Sequence, residues 1–261
     1  MATSKVVILI TSFYFQVGEM FLETVTWVHH WSDRTFSFRT TRNQSFKFNA
    51  GEFAMIGLQI NGRKILRAYS VVSPPWENEL EFLSIKINHG ELTSKLQNIS
   101  IGDEILVMEK PTGTLRNDAL KKGGNLWLLA TGTGLAPYMS LIRDIETLET
   151  WNKISIVHSV RDRKDLAYYD ELSSNFADTE LEDMVTPILN YIPVVTGEGD
   201  KRITEQLKDI LPINTTTDKI MLCGNIEFNK QVAQWCEGNG MIEGSLREPG
   251  DYVLERAFVE K

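Results

Sequence analysis

The chain has 261 residues, 42% hydrophobic and 24% charged, the composition of a folded globular protein with room for one large domain or two ordinary ones. Its net charge of −8 arises in the second half: residues 20–118 carry 11 basic and 11 acidic side chains, residues 119–261 carry 15 and 23. That balance argues against a nucleic-acid partner, and the neutral first half leaves room for a basic patch that receives an acidic protein.

Residues 1–19 include an apolar run, Lys5–Phe15, shorter than the roughly 20 residues a membrane helix needs and without a small-x-small cleavage site. They read as an N-terminal extension ahead of Met20, with a cryptic targeting role as the alternative. No membrane association is expected. From residue 20 to about 118 the signals are short and strand-like: Phe21–His29, Thr35–Thr40, Glu52–Ile60, Leu66–Val72, Glu81–Ile87 and Glu104–Glu109, with turns such as Asn61-Gly62 between them. Short strands at this spacing predict an antiparallel barrel. One helical piece interrupts it, Thr93–Gln97, with Thr93 as its N-cap.

Arg67-Ala68-Tyr69-Ser70 opens the fourth of these strands. Alternation puts Arg67 and Tyr69 on one side. A planar cation beside an aromatic ring suits a ligand with phosphates and a flat ring system, the shape of a flavin dinucleotide. Alone, the tetrapeptide fits a strand with a surface Arg and a packed Tyr equally well. Gly90–Ser94 offers helix-start N–H groups and a hydroxyl to a phosphate, and alone fits an ordinary capped helix.

From about residue 124 the rhythm changes. Leu126–Ala130 is a continuous apolar run, as in a strand buried on both faces. Gly132-Thr133-Gly134 follows, then helical spacing over Tyr138–Leu148. Further strands read at Ile154–Ser159, Tyr191–Val195 and Ile220–Cys223, with helices around Asp165–Asn175, Thr204–Ile210 and Glu227–Glu237 and a last strand from Asp251. This alternation predicts a parallel sheet with crossover helices. Domains are therefore expected at 20–118 and 119–261. Gly132–Pro137 sits where a strand-to-helix turn cradles a pyrophosphate, with Pro137 in place of the usual third glycine. Arg161, Arg163 and Lys164 after the second strand of this sheet, and Lys201-Arg202 after the third, can converge on a ribose 2′-phosphate or form solvated loops. Cys223-Gly224 ends the fourth strand, on the ligand side of an open sheet. The only other cysteine is Cys236, so no zinc or iron–sulfur spacing exists, and the count fits a reducing cytosol. His29-His30 reads as strand surface, and no general acid stands out.

In this order, Arg67-Ala-Tyr-Ser70, Gly90-Glu-Leu-Thr-Ser94, Gly132-Thr-Gly-Leu-Ala-Pro137, Val157-His-Ser-Val-Arg161, Cys223-Gly-Asn225 and Glu255-Arg-Ala-Phe-Val-Glu-Lys261 resemble the bacterial ferredoxin(flavodoxin)–NADP reductases, in the subgroup with the Ala-Phe-Val-Glu-Lys tail. The resemblance spans roughly 20–261. It implies a Greek-key FAD-binding barrel followed by a Rossmann-like NADP domain whose tail returns to the flavin.

Arg67 would pair with the FAD pyrophosphate. Ala68, Tyr69, Leu83, Ile85 and Ile87 would border the flavin, and Ser70 would reach its N5. Glu91, Leu92 and Thr93 would hold phosphate. Ala257 would cover the flavin face and Phe258 would stack on the adenine. Gly132, Thr133, Gly134, Cys223 and Gly224 would bind the nicotinamide nucleotide, with Arg161 and Arg202 on its 2′-phosphate. Ser70, Thr133 and Cys223 are the implied catalytic set.

One departure stands out. The family's Val-Thr-Arg-Glu reads Val195-Thr196-Gly197-Glu198 here. Losing one charged hydrogen-bonding partner costs about 1.5–3 kcal/mol, so NAD(H) stays open beside NADP(H). The implied activity is electron transfer between NADPH and a one-electron carrier, ferredoxin or flavodoxin, by a cytoplasmic monomer that needs FAD and no metal. The alternatives are an oxygenase reductase component or free-flavin reductase, and a non-catalytic flavin-binding relay subunit.

Overall fold

The computed structural model describes residues 20–177, 179–208 and 210–256. Residues 1–19 and the tail residues Ala257 and Phe258 lie outside the described residues.

The first part holds β1 (Met20–His30), β2 (Thr35–Thr41), β3 (Phe53–Ile60), β4 (Arg63–Ser70), β5 (Glu79–Ile85), the short helix α1 (Thr93–Leu96) and β6 (Glu104–Met108). The strands form one six-stranded sheet, ordered β4-β3-β6-β1-β2-β5, in which every pairing is antiparallel. Its two edges meet at a Val71–Phe82 bridge, which curls the sheet into the expected barrel. Phe36, Phe38, Phe82, Ile56 and Ile105 fill the interior, and Leu92 and Leu96 of the α1 region join this core.

Two local expectations change. Asn61 (φ 50°) and Gly62 (φ 78°) make a two-residue hairpin turn, so pairing resumes at once with Arg63 opposite Ile60. Arg67–Ser70 therefore closes β4 and does not open it. Thr93 is the first residue of α1, not its cap; Leu92 holds the cap position without a side-chain bond. Thr93 is buried in the first turn of the helix.

The second part contains β7 (Leu126–Thr131), α2 (Ala136–Ile142), α3 (Ile145–Thr150), β8 (Ile154–Val160), α4 (Tyr169–Ser173), α5 (Glu182–Val185), β9 (Leu189–Val195), α6 (Ile203–Gln206), β10 (Lys219–Gly224), α7 (Ile226–Gly238) and β11 (Tyr252–Arg256). The sheet is parallel, ordered β11-β10-β7-β8-β9. The central strand β7 divides its apolar residues by face. Leu126, Leu128 and Ala130 pack in one cluster with Tyr138 and Leu141, while Trp127 and Leu129 pack in the other with Phe228 and Val232. The chain runs outward from β7 to β9 and then crosses to β10, so the crevice for a ligand lies between β7 and β10.

The single helix expected over Tyr138–Leu148 is two helices. Asp144 leaves helical geometry and caps α3, its carboxylate accepting from Thr147 N at 3.2 Å. The helix expected at Asp165–Asn175 shortens to α4, preceded by Tyr168 in the left-handed region at φ 57°.

A buried polar cluster joins the two sheets. Tyr168 Oη donates to Glu81 Oε1 at 2.7 Å and lies 2.7 Å from Ser37 Oγ. Arg143 pairs with Glu171 at 2.8 Å and reaches Glu81 at 3.6 Å. Ser140 Oγ donates to Ser73 O at 2.8 Å. These contacts set β4 and β5 against the β7–β10 crevice.

Candidate active site

Where the two sheets meet they form a cleft, partly open to solvent. The barrel contributes Arg67, Ala68, Tyr69 and Ser70 from β4, Leu83, Ser84 and Ile85 from β5, and Ile87, Thr93 and Phe53. The parallel sheet contributes Thr133, Ala136, Cys223 and Glu255. All four residues of the β4 tetrapeptide border the cleft, because β4 is an edge strand and the cleft reaches around it.

Arg67 donates to its neighbour's carbonyl, Leu66 O, at 2.8 Å and meets Glu91 Oε2 at 3.3 Å. Glu91 is exposed, and this contact is with its side chain; its backbone was the part expected to matter. Tyr69 Oη lies 3.3 Å from Ser84 Oγ, which ties β4 to β5 across the barrel seam. Leu92 is fully buried in the barrel core and does not line the cleft.

On the opposite wall, Gly132–Leu135 forms a tight 3-10 turn leading into α2, with Pro137 in the helix's first turn. Gly134 is required there: a Cβ would fall 2.1 Å from the Cys223 carbonyl oxygen. This close approach brings Thr133 and Cys223 to the same cleft. His158, fully buried in β8, holds the turn from behind, its Nε2 3.0 Å from Gly132 O. Burial pushes the imidazole down to about 4, so it is neutral and donates to that carbonyl.

Cys223 is the penultimate residue of β10 and is buried; burial, and then the nearby Glu255 carboxylate, push its thiol up. It is a neutral thiol at physiological pH, suited to packing against a ring and unsuited to nucleophilic attack. Gly224 is buried beside it.

Glu255 is the group the sequence did not single out. It sits on β11 opposite Cys223, and its carboxylate accepts from Thr114 N at 2.5 Å. Burial is the main cause lifting its carboxyl to about 7, with Glu52 adding to the rise while bonds from Thr114 and Leu115 oppose it. A carboxyl balanced between its two forms near neutral pH, inside a cleft, is equipped for proton transfer. Its sequence signal was a carboxylate directly after the apolar run Tyr252–Leu254.

Arg161 and Arg202 lie outside the cleft and are exposed, Arg161 directly after β8 and Arg202 directly before α6. Among the described residues no group of His, Cys, Asp and Glu could hold a metal ion, and no helix is long and apolar enough to cross a membrane.

Residues 22–116 match the oxidoreductase FAD-binding domain model, and residues 128–234 match the oxidoreductase NAD-binding domain model. A ferredoxin–NADP reductase of Azotobacter vinelandii is 44% identical over 92% of this chain and 98% of its own length. One from Pseudomonas aeruginosa is 43% identical over 94% of this chain and its full length. The chain belongs to the ferredoxin–NADP reductase family. A solved family structure from Neisseria gonorrhoeae, described with bound FAD and NADP, aligns with a TM-score of 0.83 at 27% identity, covering 92% of this chain and 99% of that one. The Plasmodium falciparum reductase shares the fold at a TM-score of 0.67 and 18% identity, over 90% of this chain and 95% of that one.

As a family member the chain is an FAD-dependent oxidoreductase, and the cleft suits FAD. A guanidinium at the rim matches a diphosphate. Tyr69, Leu83, Ile85 and Ile87 offer apolar surface to a flat ring, and Ser70 offers a hydroxyl at the end of β4.

Proposed function

We propose that the chain catalyses electron transfer between NADPH and a one-electron carrier protein, ferredoxin or flavodoxin, with FAD in the cleft. One observation carries this reading: residues from both sheets, Ser70 on one wall and Thr133, Cys223 and Glu255 on the other, line a single cleft. Bound FAD supplies the chemistry that exchanges a hydride's electron pair for single electrons.

The chain's own residues do the rest. Arg67 binds the FAD diphosphate, and Tyr69 and Leu83 fix the ring plane. Thr133 and the Gly132–Gly134 backbone orient the nicotinamide nucleotide, and Cys223 packs against its ring. Ser70 aligns the reacting edges by hydrogen bonding. Glu255 holds or gives up a proton at its carboxyl, poised near neutrality. Arg161 and Arg202 face the adenosine end. The carrier docks near the barrel, whose charge is balanced where the second half is acidic. We place the domain boundary at 118/119, and the working unit as a cytoplasmic monomer, since one chain supplies both walls.

Steady-state turnover with NADPH and ferredoxin, flavodoxin or free flavin as acceptor tests this reading. Faster reduction of a carrier protein than of free flavin supports it. Turnover of free flavin alone makes the chain a flavin reductase.

A further inference from the structure

The loops after β8 and β9 hold five cations in two different states. Among the described residues, the side chains of Arg161, Lys201 and Arg202 make no hydrogen bond or ion pair. Lys164 and Arg163 are both neutralised. Lys164 meets Asp33 of the barrel at 3.0 Å. Arg163 is gripped at two points by Glu198, with Nε 3.1 Å from Oε1 and Nη2 2.6 Å from Oε2.

The backbone explains why an acid occupies this place. The 3-10 turn Thr196–Glu198 is laid onto the end of β8: Gly197 N donates to Arg161 O at 2.8 Å, and Thr196 Oγ1 donates to Val160 O at 3.2 Å. A Cβ at Gly197 would fall 2.5 Å from Arg161 O, so in this backbone no side chain can extend from position 197. The next residue, Glu198, is the one that reaches out, and it reaches Arg163.

At the carboxyl ends of an open α/β sheet, an acid favours the ribose 2′-hydroxyl of NAD and a cation favours the 2′-phosphate of NADP. This loop carries one of each, tied together. The geometry points to Arg163 as a latent 2′-phosphate ligand that Glu198 keeps neutralised. The Arg163–Glu198 pair then sets how strongly the chain separates NADP(H) from NAD(H). The inference rests on the proposed function, in which the nicotinamide dinucleotide lies across the carboxyl ends of this sheet. Both partners are about half exposed, at 57% and 48%, so the pair is weak enough for a phosphate dianion to compete for Arg163.

Calorimetric titration of the FAD-loaded protein with 2′,5′-ADP and with 5′-ADP tests it without turnover. Glu198→Gln should tighten 2′,5′-ADP by about two- to fivefold, the range in which an exposed ion pair competes, and leave 5′-ADP unchanged. Arg163→Gln in the Glu198→Gln background should abolish the gain. Thermal melting of each variant shows that it folds, as an exposed pair allows. Unchanged or weaker 2′,5′-ADP binding by Glu198→Gln overturns the inference, as does a gain that survives loss of Arg163. If the wild-type protein binds neither ligand, the nucleotide site itself is misplaced and the inference falls with it.

Discussion

Glu255 and Cys223 stand opposite each other on the parallel strands β11 and β10, and both face the cleft. One is a carboxyl lifted to about 7, the other a thiol kept neutral. Their closeness contributes to the thiol's shift, since an ionised Glu255 disfavours a thiolate next to it.

Glu255→Gln removes the titrating group and keeps its shape. Positioned proton donors contribute about 10²–10⁴-fold to rate, so flavin reduction by NADPH should slow by at least about tenfold, and a pH–rate inflection near 7 should vanish. Stopped-flow profiles from pH 5.5 to 8.5 check this. A raised carboxyl pKa means that the folded state holds its proton longer than the unfolded state. Stability from Glu255 is therefore full below about 4.5 and is lost as pH rises toward 7. At pH 8 the Gln variant should be more stable than wild type, by at most about 3 kcal/mol.

His158 has the opposite sign. Its imidazole is held neutral down to about 4, so its contribution is present above pH 6.5 and is lost as pH falls below it. Between pH 7 and 5 the wild-type protein should lose about 2 kcal/mol that His158→Gln does not lose, measured by denaturant unfolding at each pH. The variant should also raise the KM for NADPH, because the Gly132 carbonyl loses its support from behind.

Arg67→Ala should weaken FAD binding by about 1.5–3 kcal/mol, one to two decades in Kd, with the fold intact. Fluorescence titration of the flavin-free protein reads this directly. Wild-type affinity in the variant would mean that the diphosphate is held elsewhere.

Tyr168→Phe deletes a hydroxyl bonded to both Glu81 and Ser37 in the buried junction between the sheets. Glu81 is 1% exposed and cannot recruit water in exchange, so the loss should be about 1–3 kcal/mol in urea unfolding.

Much of the architecture was legible in the chain because burial leaves local marks. Leu126–Ala130 is apolar without a break because both faces of β7 are covered, and Asn61-Gly62 marks a hairpin by itself. What was hidden depends on distant partners. The helix after β7 breaks at Asp144 as Arg143 turns to Glu171 and Glu81, far along the chain. Thr93 reads locally as a cap, yet packing buries it one position inside the helix. Glu255 acquires its raised carboxyl from burial and from Glu52, which only the fold brings to it. Gly197 reads as a missing charge, and the structure adds that the backbone of Arg161 leaves no room for a side chain there.

Anaerobic mixing of the FAD-loaded protein with NADPH and, separately, NADH tests the central claim most directly. The account predicts rapid bleaching of the flavin absorbance by NADPH and slower but measurable bleaching by NADH, followed by reoxidation on adding ferredoxin. A flavin that neither nucleotide reduces would contradict it and leave the chain a passive flavin-binding protein.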